Sequence, residues 1–352
     1  MAALLSLDQA LELLLRLADE EPIEEVESLS LVEAEGRVLA EDLIAGVDLP
    51  PWPNSAMDGY ALRLADWQGL PLPVSQKIFA GQAPAPLQPG SCARIFTGAP
   101  LPDGADCIEM QENCELLEDG RVRFLQPLIA QRHIRPQGQE TRVGQRVLGA
   151  GTRLGPVQLA LAASLGQAQL GVRRRLRVAL LSTGDELVEP GLSLGPGQIY
   201  NSNRVLLGGW LRRLGCSVLD LGILPDDLQQ TRARLLQAQA VDLILSSGGV
   251  SVGEADFLGQ VLREEGELEL WKLALKPGKP LTCGRYAGVP VIGLPGNPAS
   301  SLVTFALLAR PYLLRRLGVE RVQPLRLQVP AGFAWPKAGS RREYLRVRLD
   351  GG

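Results

Sequence analysis

The first twenty residues place apolar side chains three and four positions apart, a spacing that is typical of one helix face. This face consists of Leu7, Leu11, Leu14 and Ala18. Ser6 and Gln9 stand three residues apart at its start, as in a capping box, where each side chain bonds the other residue's backbone N–H. The segment carries several charges and has no basic start, so we predict an amphipathic helix and no signal peptide.

The hydrophobic pattern changes twice further along the chain. Residues 48–150 are rich in Pro and Gly, with short apolar runs such as 91–96 and 121–124, which is typical of β-rich structure. Between 176 and 317, short apolar runs alternate with segments of helical spacing, which predicts a parallel, doubly wound α/β domain. Its last segment, 298–316, is predicted as one long helix. The fold class is therefore multidomain, α/β plus β.

Composition limits the class of protein. A chain of 352 residues exceeds an ordinary domain of about 150 residues, so we expect two or three domains. The 45% apolar and 21% charged residues are ordinary for a globular protein. The net charge is −3, no basic run is longer than 173–175, and no stretch is long and apolar enough to span a membrane. We expect neither nucleic acid nor a membrane as a partner.

Cysteine and histidine usage restricts the chemistry. The five cysteines are odd in number and form no C-x-x-C pair, so we expect reduced thiols and a cytoplasmic location. His133 is the only histidine, which excludes zinc sites built on several histidines and Ser-His-Asp triads. Acid and base chemistry would fall to carboxylates or lysines.

Unusual loops follow the predicted strands of the α/β region. They are Ser182 to Glu186, Gly222 to Asp227, Ser246 to Asp256, Lys272 to Pro280 and Leu294 to Pro298. Ligands of open parallel sheets bind beyond the carboxyl ends of the strands. Glycines let the backbone approach phosphate, carboxylates suit a hard divalent cation, and lysines suit an oxyanion.

Each loop also has a simpler interpretation. Asp226, Asp227 and Asn297 could each be a helix N-cap, the commoner role for a single residue of this type. Five such loops at one edge are harder to explain in this way. Neither G-x-x-x-x-G-K-[ST] nor G-x-G-x-x-G follows a strand, so the familiar nucleotide motifs are excluded.

Four of these loops closely resemble the molybdopterin-binding domain of molybdenum insertases. They are Ser182-Thr183-Gly184-Asp185-Glu186, Ser246 to Asp256, Lys276-Pro277-Gly278-Lys279-Pro280 and Leu294-Pro295-Gly296-Asn297-Pro298. That domain also occurs alone in molybdopterin adenylyltransferases. The first half contains Asn54-Ser55-Ala56-Met57-Asp58-Gly59-Tyr60 and Thr97-Gly98-Ala99-Pro100, which look like motifs of the molybdopterin molybdenumtransferase family.

The resemblance implies an activity and its partners. A member of this family transfers molybdenum from molybdate into adenylylated molybdopterin, releases AMP and uses a divalent cation, here expected to be Mg²⁺. It also implies a homodimer with a composite active site, in which the β domain of one subunit covers the α/β site of the other. Molybdopterin adenylyltransferase and molybdoenzyme-specific chaperones would be further partners.

The resemblance also implies a domain order. An elongated linker domain would comprise 1–47 and 144–175, and a β-rich domain, 48–143, would be inserted within it. The α/β molybdopterin-binding domain would span 176–320. Residues 321–352 would form an incomplete C-terminal β-barrel, since the chain stops at the turn signal Asp350-Gly351-Gly352 with no returning strand.

Site residues are carried over by motif. The expected catalytic residues are Asp58, Thr97, Glu186, Asp226, Asp256, Lys272 and Lys276, with Asp226 and Asp256 as ligands of Mg²⁺. The expected substrate-binding residues are Arg135, Glu140, Thr183, Gly184, Asp185, Ser247, Gly248, Gly249, Ser251, Lys279, Pro295, Gly296, Asn297, Ser300 and Arg346.

The chain departs from the family pattern at two carboxylates. Glu140 stands where aspartate is usual, and its extra methylene shifts the carboxylate enough to affect alignment. Asn54 replaces an aspartate that is common before the Ser-Ala-Met-Asp motif. These changes leave open a weakened paralogue that acts as a molybdopterin-binding or scaffold protein. Adenylyl transfer to molybdopterin is a second alternative, but it would leave residues 1–175 without a role.

Overall fold

The computed structural model describes residues 4–249, 257–335 and 339–348. The chain divides into two compact units. Unit 1 comprises Met1–Glu41, Ala150–Ala160 and Ala168–Gly352, and unit 2 comprises Asp42–Gly149 and Leu161–Gln167. The finer division into four domains stays a prediction.

The helices and strands of the described residues are as follows. The α-helices are α1 (Leu7–Glu20), α2 (Pro156–Ser164), α3 (Ser202–Arg213), α4 (Leu228–Gln237), α5 (Phe257–Glu265), α6 (Pro298–Thr304) and α7 (Arg310–Arg316). The strands are β1 (Val26–Ser30), β2 (Leu43–Ile44), β3 (Asn54–Ser55), β4 (Gly59–Leu62), β5 (Leu72–Ile78), β6 (Cys92–Ile95), β7 (Cys107–Met110), β8 (Cys114–Leu116), β9 (Arg121–Phe124), β10 (Ile134–Arg135), β11 (Arg146–Leu148), β12 (Gln169–Arg173), β13 (Arg177–Thr183), β14 (Leu187–Val188), β15 (Ile199–Tyr200), β16 (Ser217–Leu224), β17 (Leu243–Ser247), β18 (Gly266–Lys272), β19 (Leu275–Lys276), β20 (Pro280–Tyr286), β21 (Val289–Leu294) and β22 (Arg342–Glu343). Short 3₁₀ turns cover Leu64–Asp66 and Gln111–Asn113.

A six-stranded sheet forms the centre of unit 1, in the order β16-β13-β17-β21-β20-β18. Pairing is parallel from β16 to β21, and β20 is antiparallel to both of its neighbours. The predicted parallel sheet is therefore present, with β20 as its one antiparallel strand among the described residues. Only Ala287 and Gly288 separate β20 from β21, and two residues suffice for a hairpin but not for a crossover helix.

Both faces of this sheet are covered, as expected for a doubly wound domain. Val178 and Leu180 of β13 lie in a buried cluster with α1, α3 and α7. Ala179 and Leu181 point the other way, into a cluster with α4 and α5. Because side chains alternate along a strand, β13 is apolar on both sides, which explains its continuous hydrophobic run.

Helix α1 begins as its sequence predicts. The Ser6 hydroxyl accepts from the Gln9 backbone N–H at 3.2 Å, and the Gln9 side-chain oxygen accepts from the Ser6 N–H at 3.0 Å. This confirms the capping box. The predicted apolar face is buried, together with Ala10.

The last long helix is interrupted. A π-helical segment, Phe305–Ala309, separates α6 from α7, although one continuous helix was predicted from 298 to 316. Pro311 has no N–H and cannot donate to the carbonyl four residues earlier, which accounts for the break in the ladder of hydrogen bonds.

Unit 2 is β-rich, as predicted. Its main sheet has the order β7-β4-β6-β5-β9-β8, and β2 pairs with β11 and β3 with β10. Two small cores fill it, one around Ile78, Ile95 and Ile108 and the other around Leu62 and Val122.

Three further expectations concern the rest of the chain. All five cysteines are free thiols, as expected. In the segment after 321, the described residues contain one strand, β22, which pairs in parallel with β19, so the C-terminal barrel stays a prediction. Among the described helices, none has the length and apolar character needed to cross a bilayer.

Candidate functional site

The loops singled out in the sequence meet at one edge of the unit 1 sheet. β13, β16, β17 and β21 are parallel, and β18 has the same direction because β20 is antiparallel to both β18 and β21. The loops that follow these strands therefore share one edge, which we call the carboxyl edge. Predicted residues from all five loops lie there.

Glycines allow two of these loops to approach each other closely. Gly248 has φ +88°, and a Cβ at this position would lie 2.8 Å from the carbonyl oxygen of Thr183. The Gly248 N–H donates to the Leu294 carbonyl oxygen at 3.0 Å. Gly249 has φ +63°, and its Cβ would lie 3.0 Å from the Thr183 hydroxyl oxygen. Only glycine fits this narrow junction without strain.

Asn203 joins the Ser247 and Gly296 loops and was missed in the sequence. Its side-chain Nδ2 donates to Ser247 Oγ at 3.1 Å and to the Gly296 carbonyl oxygen at 2.7 Å. The residue is only 6% exposed, and its Oδ1 is buried without a hydrogen-bond partner in the described structure. An asparagine just before a helix, such as Asn201, can be predicted as an N-cap. No spacing in the sequence predicts the role of Asn203.

The capping interpretation is correct for two of its three candidates. Asp227 caps α4 by accepting from the Gln230 N–H at 2.8 Å. Asn297 caps α6 by accepting from the Ser300 N–H at 3.2 Å. Asn297 and Ser300, both predicted to bind substrate, therefore also stabilise the start of this helix. Asp226 is not the cap, which leaves its carboxyl available at the carboxyl edge.

Three carboxyl groups interact at this edge. The Asp226 N–H donates to Asp185 Oδ1 at 2.9 Å. Burial raises the pKa of the Asp226 carboxyl, and the negative charges of Asp185 and Glu186 raise it further. The described residues contain no group of three or more acidic, histidine or cysteine side chains arranged to hold a metal ion. Asp256, the second expected ligand, and Ser251 lie outside the described residues.

Three lysines lie in the segment from the last residue of β18 to the start of β20. Lys272, Lys276 and Lys279 are exposed, and Lys276 Nζ lies 3.1 Å from Glu343 Oε1 on β22. The other Glu343 oxygen is buried and has no partner among the described residues. The Tyr344 N–H donates to the Lys276 carbonyl oxygen at 2.8 Å, so the C-terminal segment borders the lysine loop.

Arg346 belongs to the same region. It lines a cavity of about 720 Å³ together with Pro277, Pro298 and Tyr344. The structure therefore brings Arg346 near the lysine and Asn297 loops, and its role in binding substrate stays a prediction.

In unit 2, the structure brings Asp58 and Thr97 together. Asp58 Oδ1 accepts from the Thr97 backbone N–H at 2.8 Å and from its hydroxyl at 2.7 Å. These bonds lower the pKa of the Asp58 carboxyl, with a further contribution from the positive charge of Arg94. The two motifs are also joined by their backbones, since the Gly98 N–H donates to the Ser55 carbonyl oxygen at 2.8 Å.

Arg135 and Glu140 are less closely tied to this pair. Arg135 lies on β10 opposite Asn54, and its side chain is exposed. The Glu140 N–H donates to the Leu49 carbonyl oxygen at 2.8 Å, and its side chain is exposed as well. Asn54 is 8% exposed with a buried Oδ1 that lacks a partner in the described structure.

A cation–aromatic cluster beside Asp58 and Thr97 was also missed. Phe79 and Phe96 stack with ring centroids 4.6 Å apart. Lys77 Nζ lies 5.2 Å from the Phe79 centroid, and the Arg94 guanidinium lies 4.6 Å from the Phe96 centroid. Side chains two residues apart on a strand share a face, so the sequence could have placed Lys77 with Phe79 and Arg94 with Phe96. It could not have shown that the two pairs are in contact.

Two family models match the chain. The model described as the MoeA N-terminal region, domains I and II, covers residues 5–166. The model described as a probable molybdopterin-binding domain covers residues 179–315.

Individual relatives agree with these matches. The molybdopterin molybdenumtransferase of Haemophilus influenzae is 43% identical, over 92% of this chain and 81% of its own length. Molybdopterin molybdenumtransferase 2 of Mycobacterium tuberculosis is 40% identical, over 92% of this chain and 83% of its own length. The crystal structure of a molybdopterin biosynthesis protein from Pyrococcus horikosii has a TM-score of 0.73 and 34% identity, over 91% of this chain and 81% of that chain.

Proposed function

The chain belongs to the molybdopterin molybdenumtransferase family, and we propose that it transfers molybdenum from molybdate into adenylylated molybdopterin with release of AMP. The observation that carries this proposal is the carboxyl edge of unit 1. There the closely approaching Thr183, Gly248 and Gly296 loops share one edge with three exposed lysines. Close backbone approach suits phosphate, and the lysines suit an oxyanion.

The roles follow from charge and position. The glycine loops would hold the phosphates of adenylylated molybdopterin, and Lys272, Lys276 and Lys279 would supply the positive charge for phosphate or molybdate. Cleavage of the phosphoanhydride consumes one water and releases AMP. As two molybdenum–sulfur bonds form, one molybdate oxygen leaves as water with the two thiol protons. Glu343 holds Lys276 Nζ at 3.1 Å, so an incoming oxyanion would compete with this carboxylate for the ammonium group.

Mg²⁺ is the proposed divalent cation. Burial and the negative charges of Asp185 and Glu186 raise the pKa of Asp226. A bound dication would offset this negative charge and favour the ionised carboxylate. Mg²⁺ commonly uses one or two carboxylates and completes its shell with water and substrate phosphates. We therefore propose that Asp226 holds it, with Asp256 as the second ligand. When bound, the ion would neutralise phosphate charge during cleavage.

We also propose that the enzyme works as a cytoplasmic homodimer with a composite site. Asp58, Thr97, Arg135 and Glu140 belong to unit 2, whereas the lysines and carboxyl-edge loops belong to unit 1. In a composite site the first group would act on substrate bound by the partner subunit. A C-terminal β-barrel domain at 321–352, and docking of molybdopterin adenylyltransferase and molybdoenzyme-specific chaperones, belong to the same proposal.

The proposed activity is tested by AMP release from adenylylated molybdopterin with Mg²⁺, with and without molybdate. Wild type should release AMP in a molybdate-dependent manner, and Lys276→Ala should lose this release. Arg234→Ala, which removes an exposed positive charge on α4, is the control and should retain it. Tight substrate binding without release by the wild type would contradict the proposal and favour the scaffold alternative.

The composite site is tested by mixing two inactive variants, Asp58→Asn and Lys276→Ala. If the two groups act across subunits, each mixed dimer has one intact site, and a random mixture recovers about a quarter of wild-type activity. If both groups act within one subunit, the mixture stays inactive.

A further inference from the structure

A second cavity lies in unit 1, away from the carboxyl edge. Its volume is about 470 Å³, and it is lined in part by Glu35, Arg153, Gln158, Trp210, Arg213 and Arg310. Trp210 and Arg213 are in the last turn of α3, which ends four residues before β16 begins. The cavity is therefore at the amino ends of the parallel strands. A seven-residue strand at about 3.3 Å per residue puts it about 20 Å from the carboxyl edge.

Three guanidinium groups in this cavity lack acidic partners in the part of the chain that the structure describes. Among the residues that the structure describes, Arg153, Arg213 and Arg310 form no ion pair. By contrast, Arg315 near the end of α7 forms an ion pair with Asp19. Within the described part of the chain, Glu35 is the one acidic side chain that lines the cavity, and it is exposed. The cavity therefore has an unbalanced positive charge.

Neutral contacts hold two of these groups in place. The Arg153 guanidinium donates to the Arg213 carbonyl oxygen, and Arg310 donates to the Val322 carbonyl oxygen at 2.9 Å. Carbonyl oxygens fix the direction of a guanidinium but do not neutralise it. Burial lowers the pKa of Arg310, and the positive charge of Arg153 lowers it further, so the two cations repel each other.

Trp210 adds an aromatic surface to the same cavity. The residue is 37% exposed, and the Arg213 guanidinium lies 5.6 Å from the ring centroid. A planar base could stack on such a ring while the arginines hold its phosphate.

We propose that this cavity binds a phosphate group, either free or carried by a nucleotide. A doubly charged anion would relieve the repulsion between Arg153 and Arg310. Arginine also binds phosphate through paired hydrogen bonds. The cavity volume is within the range of about 300–1,000 Å³ that is usual for small-molecule sites. This site is separate from the proposed reaction and does not depend on it.

The test is calorimetric titration of the full chain with inorganic phosphate and, separately, with AMP, at about 0.1 M ionic strength, where the screening length is about 10 Å. Arg213→Glu is the main variant, because the described hydrogen bonds of Arg213 use its backbone carbonyl and not its side chain. Arg212→Glu is the matched control, since it makes the same charge change on the adjacent residue, which does not line the cavity. Both should unfold near the wild-type temperature.

We expect saturable phosphate binding that Arg213→Glu weakens about tenfold or more, the effect of losing one charge-assisted contact. Arg212→Glu should weaken phosphate binding by less than about threefold, because Arg212 does not line the cavity and solvent ions screen its charge. Equal weakening by both variants, or no saturable binding, would overturn the proposal. If the cavity instead binds acidic side chains of a partner protein, the titration would likewise show no saturable phosphate binding, and the proposal would be overturned.

Two further variants identify the source and position of the phosphate. Trp210→Leu should weaken AMP but not inorganic phosphate if a nucleotide is the ligand, and neither if the phosphate is free. Lys276→Ala, which removes a proposed oxyanion contact at the carboxyl edge, should retain the phosphate binding that Arg213→Glu weakens. Loss of binding in Lys276→Ala with retention in Arg213→Glu would assign the phosphate to the carboxyl edge, which overturns this inference and leaves the proposed reaction intact.

Discussion

Asp58 Oδ1 accepts two hydrogen bonds from Thr97, from the backbone N–H at 2.8 Å and from the hydroxyl at 2.7 Å. Two motifs that are 39 residues apart therefore share one carboxylate oxygen. Both bonds favour the ionised carboxylate, so they lower the pKa of Asp58. The pair positions a negative charge that persists to lower pH than that of an ordinary aspartate.

The first prediction is that Thr97→Val raises the pKa of Asp58 towards the ordinary aspartate value. Valine keeps the shape and the backbone bond but removes the hydroxyl donor. Carboxyl ¹³C NMR titration measures the change. Asp119, whose pKa is lowered by Arg121 in the same unit, provides the internal control and should titrate as in the wild type. An unchanged Asp58 titration would mean that the hydroxyl bond contributes nothing.

The second prediction concerns Asn203. Asn203→Ala leaves Ser247 Oγ and the Gly296 carbonyl without this donor, and should lower the free energy of unfolding by about 1–3 kcal/mol. A double-mutant cycle with Ser247→Ala, followed by urea unfolding, isolates the shared bond. We expect a coupling energy of at least about 0.5 kcal/mol, whereas simple additivity of the two changes would refute the contact.

The third prediction separates backbone strain from steric clash at Gly248. Gly288→Ala is the matched control, because Gly288 has φ +81° and no atom within 4 Å of an added Cβ. It should cost about 1–2 kcal/mol from the left-handed backbone alone. Gly248→Ala has the same strain plus a Cβ 2.8 Å from the Thr183 carbonyl oxygen, so it should cost more. Equal unfolding free energies would show that this junction is looser than the structure indicates.

The fourth prediction concerns the pH dependence of stability at Asp242. Burial opposes ionisation of this carboxyl, but hydrogen bonds from Arg174 and Arg177 outweigh it and lower the pKa. A carboxyl with a lowered folded pKa stabilises the protein fully above its ordinary value of 3.8. That stability is lost as the pH falls from there through the lowered folded value.

Asp242→Asn should therefore cost about 3 kcal/mol at neutral pH, since its side chain is only 10% exposed, Arg177 loses this ion pair and Arg174 keeps only its pair with Glu25. The cost should shrink in acid. Asp19→Asn removes the exposed pair with Arg315 and should cost at most about 1 kcal/mol. Chemical denaturation at several pH values measures both, and a pH-independent cost for Asp242→Asn would contradict the assignment.

The local sequence determined much of this protein. Helix α1, its capping box and the apolar run of β13 follow from spacing alone, because neighbours along the chain settle them. The order of strands and helices also placed Thr183, Asp226 and Lys276 at one edge, since the carboxyl ends of strands that run in the same direction meet there. The motifs in these loops were specific enough to indicate the family.

Tertiary structure alone decided the contacts between distant segments. Nothing in the chain near Asn203 indicates that its side chain bonds Ser247 and Gly296, and nothing near Lys276 indicates its pairing with Glu343. The cluster of Arg153, Arg213 and Arg310 also draws on segments far apart in sequence. Periodicity reports which face of an element is buried. It does not report what that face meets, because packing between elements sets those partners.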